Sequence, residues 1–313
     1  MDKRFDIYWG IDVSKEWLDI DVGSEVIRIA QNEKAIKEVM KQHKIENSQS
    51  LLATLESTGG YERLAIRCLS EAGVVVHVAH PNKVKSFARA RGRLAKTDQI
   101  DAVILKEYGR FIKPDEIKPL PTALESELEL LGSRLDQLKE MHHQERCRLG
   151  IACGEGVKKS ITNMIKLLKE EMEILEESIL ELINKDECLK EKYNILCSMK
   201  GVGPVLAMKL ITDLPELGEA NEKEIAALVG VAPITHDSGQ KKGKAMTKYG
   251  RHGVRKTLYM GALTASRHNP RFQSFYTKLI EAGKPPKVAL VAVMRKMIVT
   301  LNAMVQSKKH FYA

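Results

Sequence analysis

Several things are scarce in this 313-residue chain, and each scarcity excludes something. Five cysteines, Cys68, Cys147, Cys153, Cys188 and Cys197, are odd in number and show no CxxC spacing. That pattern argues against structural zinc or a disulfide framework and for a reduced, cytoplasmic setting. Aromatics make up 5% of the residues, and the two tryptophans, Trp9 and Trp17, lie in strand patterns that predict core positions rather than base stacking. No apolar run approaches the roughly 20 residues of a membrane helix. No basic helix carries a Trp/Phe face, and the opening MDKRFDIYWG is too acidic for a signal peptide. No membrane partner is expected.

Charge is present in excess, and it is unevenly placed. The net charge is +9. Residues 1–121 hold 20 Lys/Arg against 18 Asp/Glu, residues 122–198 hold 11 against 16, and residues 199–313 hold 19 against 7. The basic excess therefore sits in the last third, where no acid occurs between Asp237 and Glu281. A polyanion, nucleic acid first, is the partner this distribution suggests.

The order of elements predicts three regions. In residues 1–113, FDIYWGIDVS, WLDIDVGS and EVIRIAQ read as a three-strand antiparallel meander. A helix (EKAIKEVMKQHK), a buried strand (SLLATLEST), a helix (GYERLAIRCLSEAG) and a strand (VVVHVAH) follow, the last closed by Pro81. Three strands, then helix, strand, helix, strand, is the order of an α/β ribonuclease-H-like domain. In residues 114–198, Pro114, Pro119 and Pro121 mark a linker. Leu124, Leu128, Leu131, Leu135 and Leu138, then Ile161, Ile165, Leu168, Met172, Leu175, Ile179 and Leu182, step by threes and fours on either side of GIACGEG. That seam suits an antiparallel coiled-coil arm, folded on itself or joining two chains. Residues 199–313 read as mainly helical, with helices near 254–266 and 287–306.

Four carboxylates stand out in the first region. Asp12 interrupts an apolar strand, which is costly unless the charge is paired or metal-bound. Glu56 ends the strand LLATLES, and Asp98 and Asp101 share a helix face one turn apart. In the ribonuclease-H-like order the first and fourth strands are neighbours, so the acids can meet and hold Mg²⁺ or Mn²⁺ for phosphoryl transfer. Each acid alone has a plainer reading: a turn cap at Asp12, an arginine partner at Glu56, a helix-dipole residue at Asp98.

GIDVSK, LESTGGYERLA, VAHPNKVKSFARARGRLAKTDQIDAVILKEYGR and VGVAPITHDSGQKKGKAMTKYGRHGVRKTLY resemble, over nearly the whole chain and in order, the DEDD transposases of bacterial insertion sequences. These are recombinases guided by a bridge RNA. The resemblance implies a RuvC-like N-terminal domain whose acids fall on Asp12, Glu56, Asp98 and Asp101. It also implies a coiled-coil assembly element and a C-terminal domain with a nucleophilic serine at Ser238. The implied partners are DNA (element ends and target), a structured guide RNA, and further copies of the chain in a dimer or tetramer.

The residues around these positions are consistent with that chemistry. Ser238 precedes Lys241, Lys242, Lys244, Lys248, Arg251, Arg255 and Lys256, cations able to hold a scissile phosphate. A turn on a solvated basic loop is the alternative. Lys83, Lys85, Arg89, Arg91, Arg93 and Lys96 form an acid-free run beside Asp98, either a phosphate track or a solvated face. Gly201 and Gly203 in KGVGP read as a helix-hairpin-helix-like phosphate turn or a plain interhelical turn. His77 and His80 are spaced as metal ligands but lack further partners and read as structural. The competing functions are a Holliday-junction-type endonuclease using the acids and water, a sugar-kinase or actin-like ATPase, and a non-enzymatic nucleic-acid-binding protein.

Overall fold

The computed structural model describes residues 5–45, 50–92, 98–234 and 246–312. The chain divides into two compact units, residues 1–120 and 121–313.

The first unit is a five-stranded sheet with helices on both faces. Strands β1 (Ile7–Val13), β2 (Trp17–Asp21) and β3 (Val26–Ala30) form the antiparallel meander. Helix α1 (Glu33–Gln42), strand β4 (Leu51–Glu56), helix α2 (Glu62–Glu71) and strand β5 (Val75–Ala79) follow, then helices α3 (Pro81–Ala90) and α4 (Asp98–Phe111). The strand order is β3-β2-β1-β4-β5, with β4 parallel to both neighbours. On one face Trp9, Ile11 and Val13 pack with Ile36, Val39 and Met40 of α1 and with Ala65, Cys68 and Leu69 of α2. On the other, Leu52 and Ala79 pack with Val84 of α3 and Ile104, Leu105 and Tyr108 of α4. Covered on both sides, β4 is apolar at nearly every position until Glu56. Pro81 closes β5 as expected, and it also opens α3 at a position where its missing N–H costs nothing.

Two devices seat α4 on the sheet. Gly10 has no side chain because there is no room for one: a Cβ there would overlap the Ala102 carbonyl oxygen and the Lys106 backbone nitrogen. Beside it the Lys106 ammonium reaches the buried Asp21 carboxylate at 2.6 Å.

Among its described residues the second unit is helical apart from a short ribbon and connecting turns. Helices α5 (Ala123–Ile151) and α6 (Glu155–Lys185) pack along each other, joined at a turn where Gly154 has φ +87°. Thr122 and Glu125 cap α5 reciprocally, each side chain taking the other's backbone N–H. Leu128 and Leu135 meet Ile179 and Ile183 in the core, and Lys139 reaches Glu176 at 2.9 Å, so the two helices run antiparallel. Helices α7 (Glu187–Cys197), α8 (Pro204–Asp213) and α9 (Glu222–Val229) lead to the ribbon β6 (Pro233–Ile234) and β7 (Met246–Thr247). Helices α10 (His252–His268), α11 (Pro270–Glu281) and α12 (Pro286–Ser307) complete the unit.

Two expectations need correction. Trp9 is buried, but Trp17 is 46% exposed; β1 ends opposite Leu18, which leaves Trp17 in the turn, hydrogen-bonded to Ser14 rather than covered by a strand neighbour on that side. Also, α12 is long and apolar enough, by length and composition, to cross a membrane. Half of that stretch is buried, and Val293, Met294, Met297, Ile298 and Leu301 form the centre of the helical core. Its apolarity has a packing explanation.

Candidate active site

The strand geometry brings the first two acids together. Ile11 of β1 and Leu55 of β4 are register partners in a parallel pair, so Asp12 and Glu56 lie one step further along, at the same end of adjacent strands. Side chains alternate across a strand, which puts Asp12 on the face opposite Ile11 and Val13, the face that α4 covers. Helix α4 begins at Asp98, with Asp101 in its first turn. The loop after Glu56 is itself fixed: the buried Glu62 carboxylate accepts from the Thr58 N–H at 3.2 Å, the Thr58 hydroxyl at 2.9 Å and the Gly60 N–H at 2.8 Å. Burial works to raise the Glu62 carboxyl, but those donors and its own backbone N–H outweigh it, and the net direction is down.

The acids also act on one another electrostatically. The half-buried Asp12 carboxyl is pushed up to about 6, first by burial and then by the charges of Asp101, Asp98, Asp19 and Glu56. Four other carboxylates thus bear on one side chain, and an acid in that position is proton-hungry unless a cation relieves it. Among the described residues no group of three His, Cys, Asp or Glu side chains is drawn tightly enough to hold an ion as placed. The donor chemistry still suits a hard divalent cation, which takes carboxylate oxygens and offsets such a surplus.

One arginine enters this neighbourhood that the sequence reading did not single out. Arg28 grips the buried Asp19 with two hydrogen bonds, Nε to Oδ1 at 3.0 Å and Nη2 to Oδ2 at 2.8 Å. The same Nη2 reaches Asp98 Oδ2 at 2.9 Å. Asp12, Asp19 and Arg28 are successive register partners across β1, β2 and β3. The signal available in the sequence was the hairpin itself, in which Asp19 and Arg28 stand symmetrically about the turn at Gly23 and Ser24.

The expected nucleic-acid residues divide into groups. Lys83, Lys85 and Arg89 are exposed on α3. Arg91, which caps α3, lies over the Phe87 ring at 5.7 Å and 3.7 Å from Glu107. Arg93, Lys96, Ser238, Lys241, Lys242 and Lys244 lie outside the described residues. Lys248 is exposed beyond β7. Arg251 is held by Glu216 at 2.5 and 2.9 Å, and Arg255 donates to the carbonyls of Tyr249 at 2.7 Å and Gly230 at 3.2 Å. Arg251 thus ties the start of α10 to the α8–α9 connection, and Arg255 ties α10 to the end of α9. Gly201, at φ +110°, lies where a Cβ would press on Ala265 of α10, whereas Gly203 caps α8 with open space around it. His80 caps α3, its Nδ1 accepting from the Asn82 N–H. His77 lies 6.1 Å from the Tyr108 ring, and burial lowers its pKa.

Comparison with known proteins matches two family models in chain order. A DEDD transposase model covers residues 9–150, and a "Transposase IS116/IS110/IS902 family" model covers residues 193–277. Similar proteins include a "pilin gene-inverting protein" of Moraxella bovis, 27% identical over 270 residues, covering 85% of this chain and 83% of the relative. The protein of the same description from Moraxella lacunata matches to the same extent. An uncharacterized protein of insertion element IS116 from Streptomyces clavuligerus is 30% identical over 124 residues, 39% of this chain and 31% of the relative. The first model begins on the strand carrying Asp12 and ends in α5, so it contains all four acids. The chain belongs to the IS110/IS116 family of DEDD transposases, enzymes that cleave and recombine DNA.

Proposed function

We propose that this transposase cleaves and rejoins DNA strands using Asp12, Glu56, Asp98 and Asp101 as its catalytic acids and Ser238 as nucleophile. The observation that carries the reading is the convergence of charge on Asp12, whose carboxyl feels the other three acids. Those four residues are the ligands for Mg²⁺ or Mn²⁺, which when bound supplies charge stabilisation for phosphoryl transfer. In the serine step, Ser238 Oγ bonds to the scissile phosphorus as the P–O bond to the leaving sugar oxygen breaks. The proton lost by the serine is matched by the one the departing hydroxyl gains. The phosphoserine link conserves the ester for rejoining, and relatives named for inverting a pilin gene support an outcome in which strands are exchanged.

The three regions take separate tasks in this reading: residues 1–113 the acidic catalysis, 114–198 assembly, and 199–313 the serine and DNA contacts. The heptad seam of α5 and α6 supports a coiled-coil arm joining copies of the chain. Lys83, Lys85, Arg89 and Lys248 are exposed cations suited to phosphates, and the open surroundings of Gly203 at the start of α8 suit the same role. Choice of target through a structured guide RNA, and action in the bacterial cytoplasm, accompany the family reading.

Trapping the adduct tests it. Wild-type protein with an element-end DNA and Mg²⁺ should yield a denaturant-resistant protein–DNA species. Ser238→Ala should yield none while its gel-shift affinity stays within about twofold. Cleavage that persists in Ser238→Ala without an adduct would favour the water-using endonuclease instead.

A further inference from the structure

We infer that Arg28 is a positioning residue for the acidic centre, orienting Asp98 from the neighbouring hairpin while neutralising Asp19. The inference rests on the reading of Asp98 as a metal ligand.

Three observations lead to it. First, Asp98 begins α4 and its side chain is 61% exposed, so burial does not fix it. Its Oδ2 is bound by Arg28 Nη2 at 2.9 Å, a contact that engages one of the two carboxylate oxygens. Carboxylate ligands held through one oxygen by an outer donor are pre-oriented for a cation at the other, and such outer partners typically change metal affinity 10–100-fold. Second, Asp19 faces Asp12 across β1 and β2 and is 3% exposed. Without a partner it would add a buried negative charge beside a carboxyl already under pressure from its neighbours. The two-pronged Arg28 contact neutralises it, a geometry that guanidinium provides and ammonium does not. Third, the row Asp12–Asp19–Arg28 is built by register alone, so the arginine is carried by the same sheet that carries Asp12. A loop-borne cation would lack that fixed distance.

The arginine does not oppose a divalent ion with a free charge, because Asp19 already balances it. Its net effect is steric and orientational, and it acts through Asp98.

A metal titration without DNA tests this in the full-length protein. Mn²⁺ binding is followed by the electron paramagnetic resonance signal of the free hexaaquo ion, for wild type, Arg28→Gln, Arg28→Lys, Asp98→Asn and the Arg28→Gln/Asp98→Asn double variant. Arg28→Gln should weaken Mn²⁺ binding about 10-fold, and its metal-free thermal unfolding should come below that of wild type, because Asp19 then keeps a buried charge without a cation. Arg28→Lys should recover part of the affinity, keeping the charge but not the fork. The double variant should bind no more weakly than Asp98→Asn alone, since both changes remove one interaction. Unchanged affinity in Arg28→Gln, or losses that add fully in the double variant, would overturn the inference. If Arg28→Gln unfolds, Arg28→Lys against Asp98→Asn carries the same comparison. Wild-type protein that binds no Mn²⁺ would overturn the metal reading of the four acids and this inference together; wild-type binding with an indifferent Arg28→Gln overturns this inference alone.

Discussion

The two units treat buried charge in opposite ways. In the second, Lys209 lies between Asp136 and Asp213, the latter at 2.6 Å, and Arg251 is matched by Glu216. Each of these cations has its counter-charge at hand. In the first, Lys106–Asp21 and Arg28–Asp19 are matched in the same manner, but around Asp12 the negative charge accumulates. Matched pairs fix where elements lie. A local surplus of negative charge raises the free energy of the folded state, and such surpluses cluster where a reaction needs them. The comparison teaches where charge is concentrated: Asp19 and Asp21 are more buried than Asp12, and each is engaged by a cation, Arg28 or Lys106.

The most severe way to break the comparison is to displace α4. Gly10→Ala places a methyl group against the α4 backbone, and overpacking of that kind costs about 3 kcal/mol or more where backbone must yield. Urea unfolding should report that loss, and DNA cleavage should vanish even in whatever fraction remains folded, because Asp98 and Asp101 move with the helix. An active Gly10→Ala variant of normal stability would show that α4 does not need this seat.

Removing a matched cation comes next. Lys209→Met should destabilise the second unit by about 2–3 kcal/mol, less than the 3–5 kcal/mol of a fully buried broken pair because Asp136 is half-exposed. Cleavage at a temperature well below unfolding should survive. Equal loss of stability and of the catalytic step at low temperature would contradict the division between structural and reactive charge.

The smallest effect has the opposite sign. A carboxyl raised from its ordinary value to about 6 keeps its proton in the folded state after the unfolded chain has lost it. Folded-state stability therefore falls as pH rises from about 4 to about 6, and the deficit persists above that. Without divalent ions, Asp12→Asn should then be more stable than wild type at pH 7.5 by on the order of 1–2 kcal/mol, after discounting for solvent screening. The advantage should shrink towards pH 4. The same variant should lose DNA cleavage. A variant equal to wild type at both pH values would mean that Asp12 carries no such strain.

Much of this was legible in the chain. The strand order, the four acids at strand ends and at a helix start, and the helices around 254–266 and 287–306 follow from period and punctuation, which are local properties. What escaped was set by distant partners. Arg251 and Arg255 read as free cations beside Ser238, but Glu216 and two carbonyls engage them, and nothing near them in sequence announces those partners. Arg28 and Asp19 needed a hairpin register before either had meaning. Trp17 looked like Trp9 because both sit in strand patterns, and only the length of β1 separates them. Helix α11 went unassigned although Asn269 caps it and Pro270 opens it, its amphipathic stripe being short.

The place of α12 sets an order of assembly. The first unit's own two clusters are complete once residue 120 has been made, so it can consolidate while the rest of the chain is still being synthesised. The second cannot, because Val254, Leu258 and Ala262 of α10 pack into a core that includes Val293, Met297 and Leu301, residues translated some 30 to 50 positions later. Until α12 arrives, the core that the long hairpin shares with α8 and α10 is incomplete. The half that carries the four acids thus precedes, in time as well as in sequence, the half that carries the basic excess.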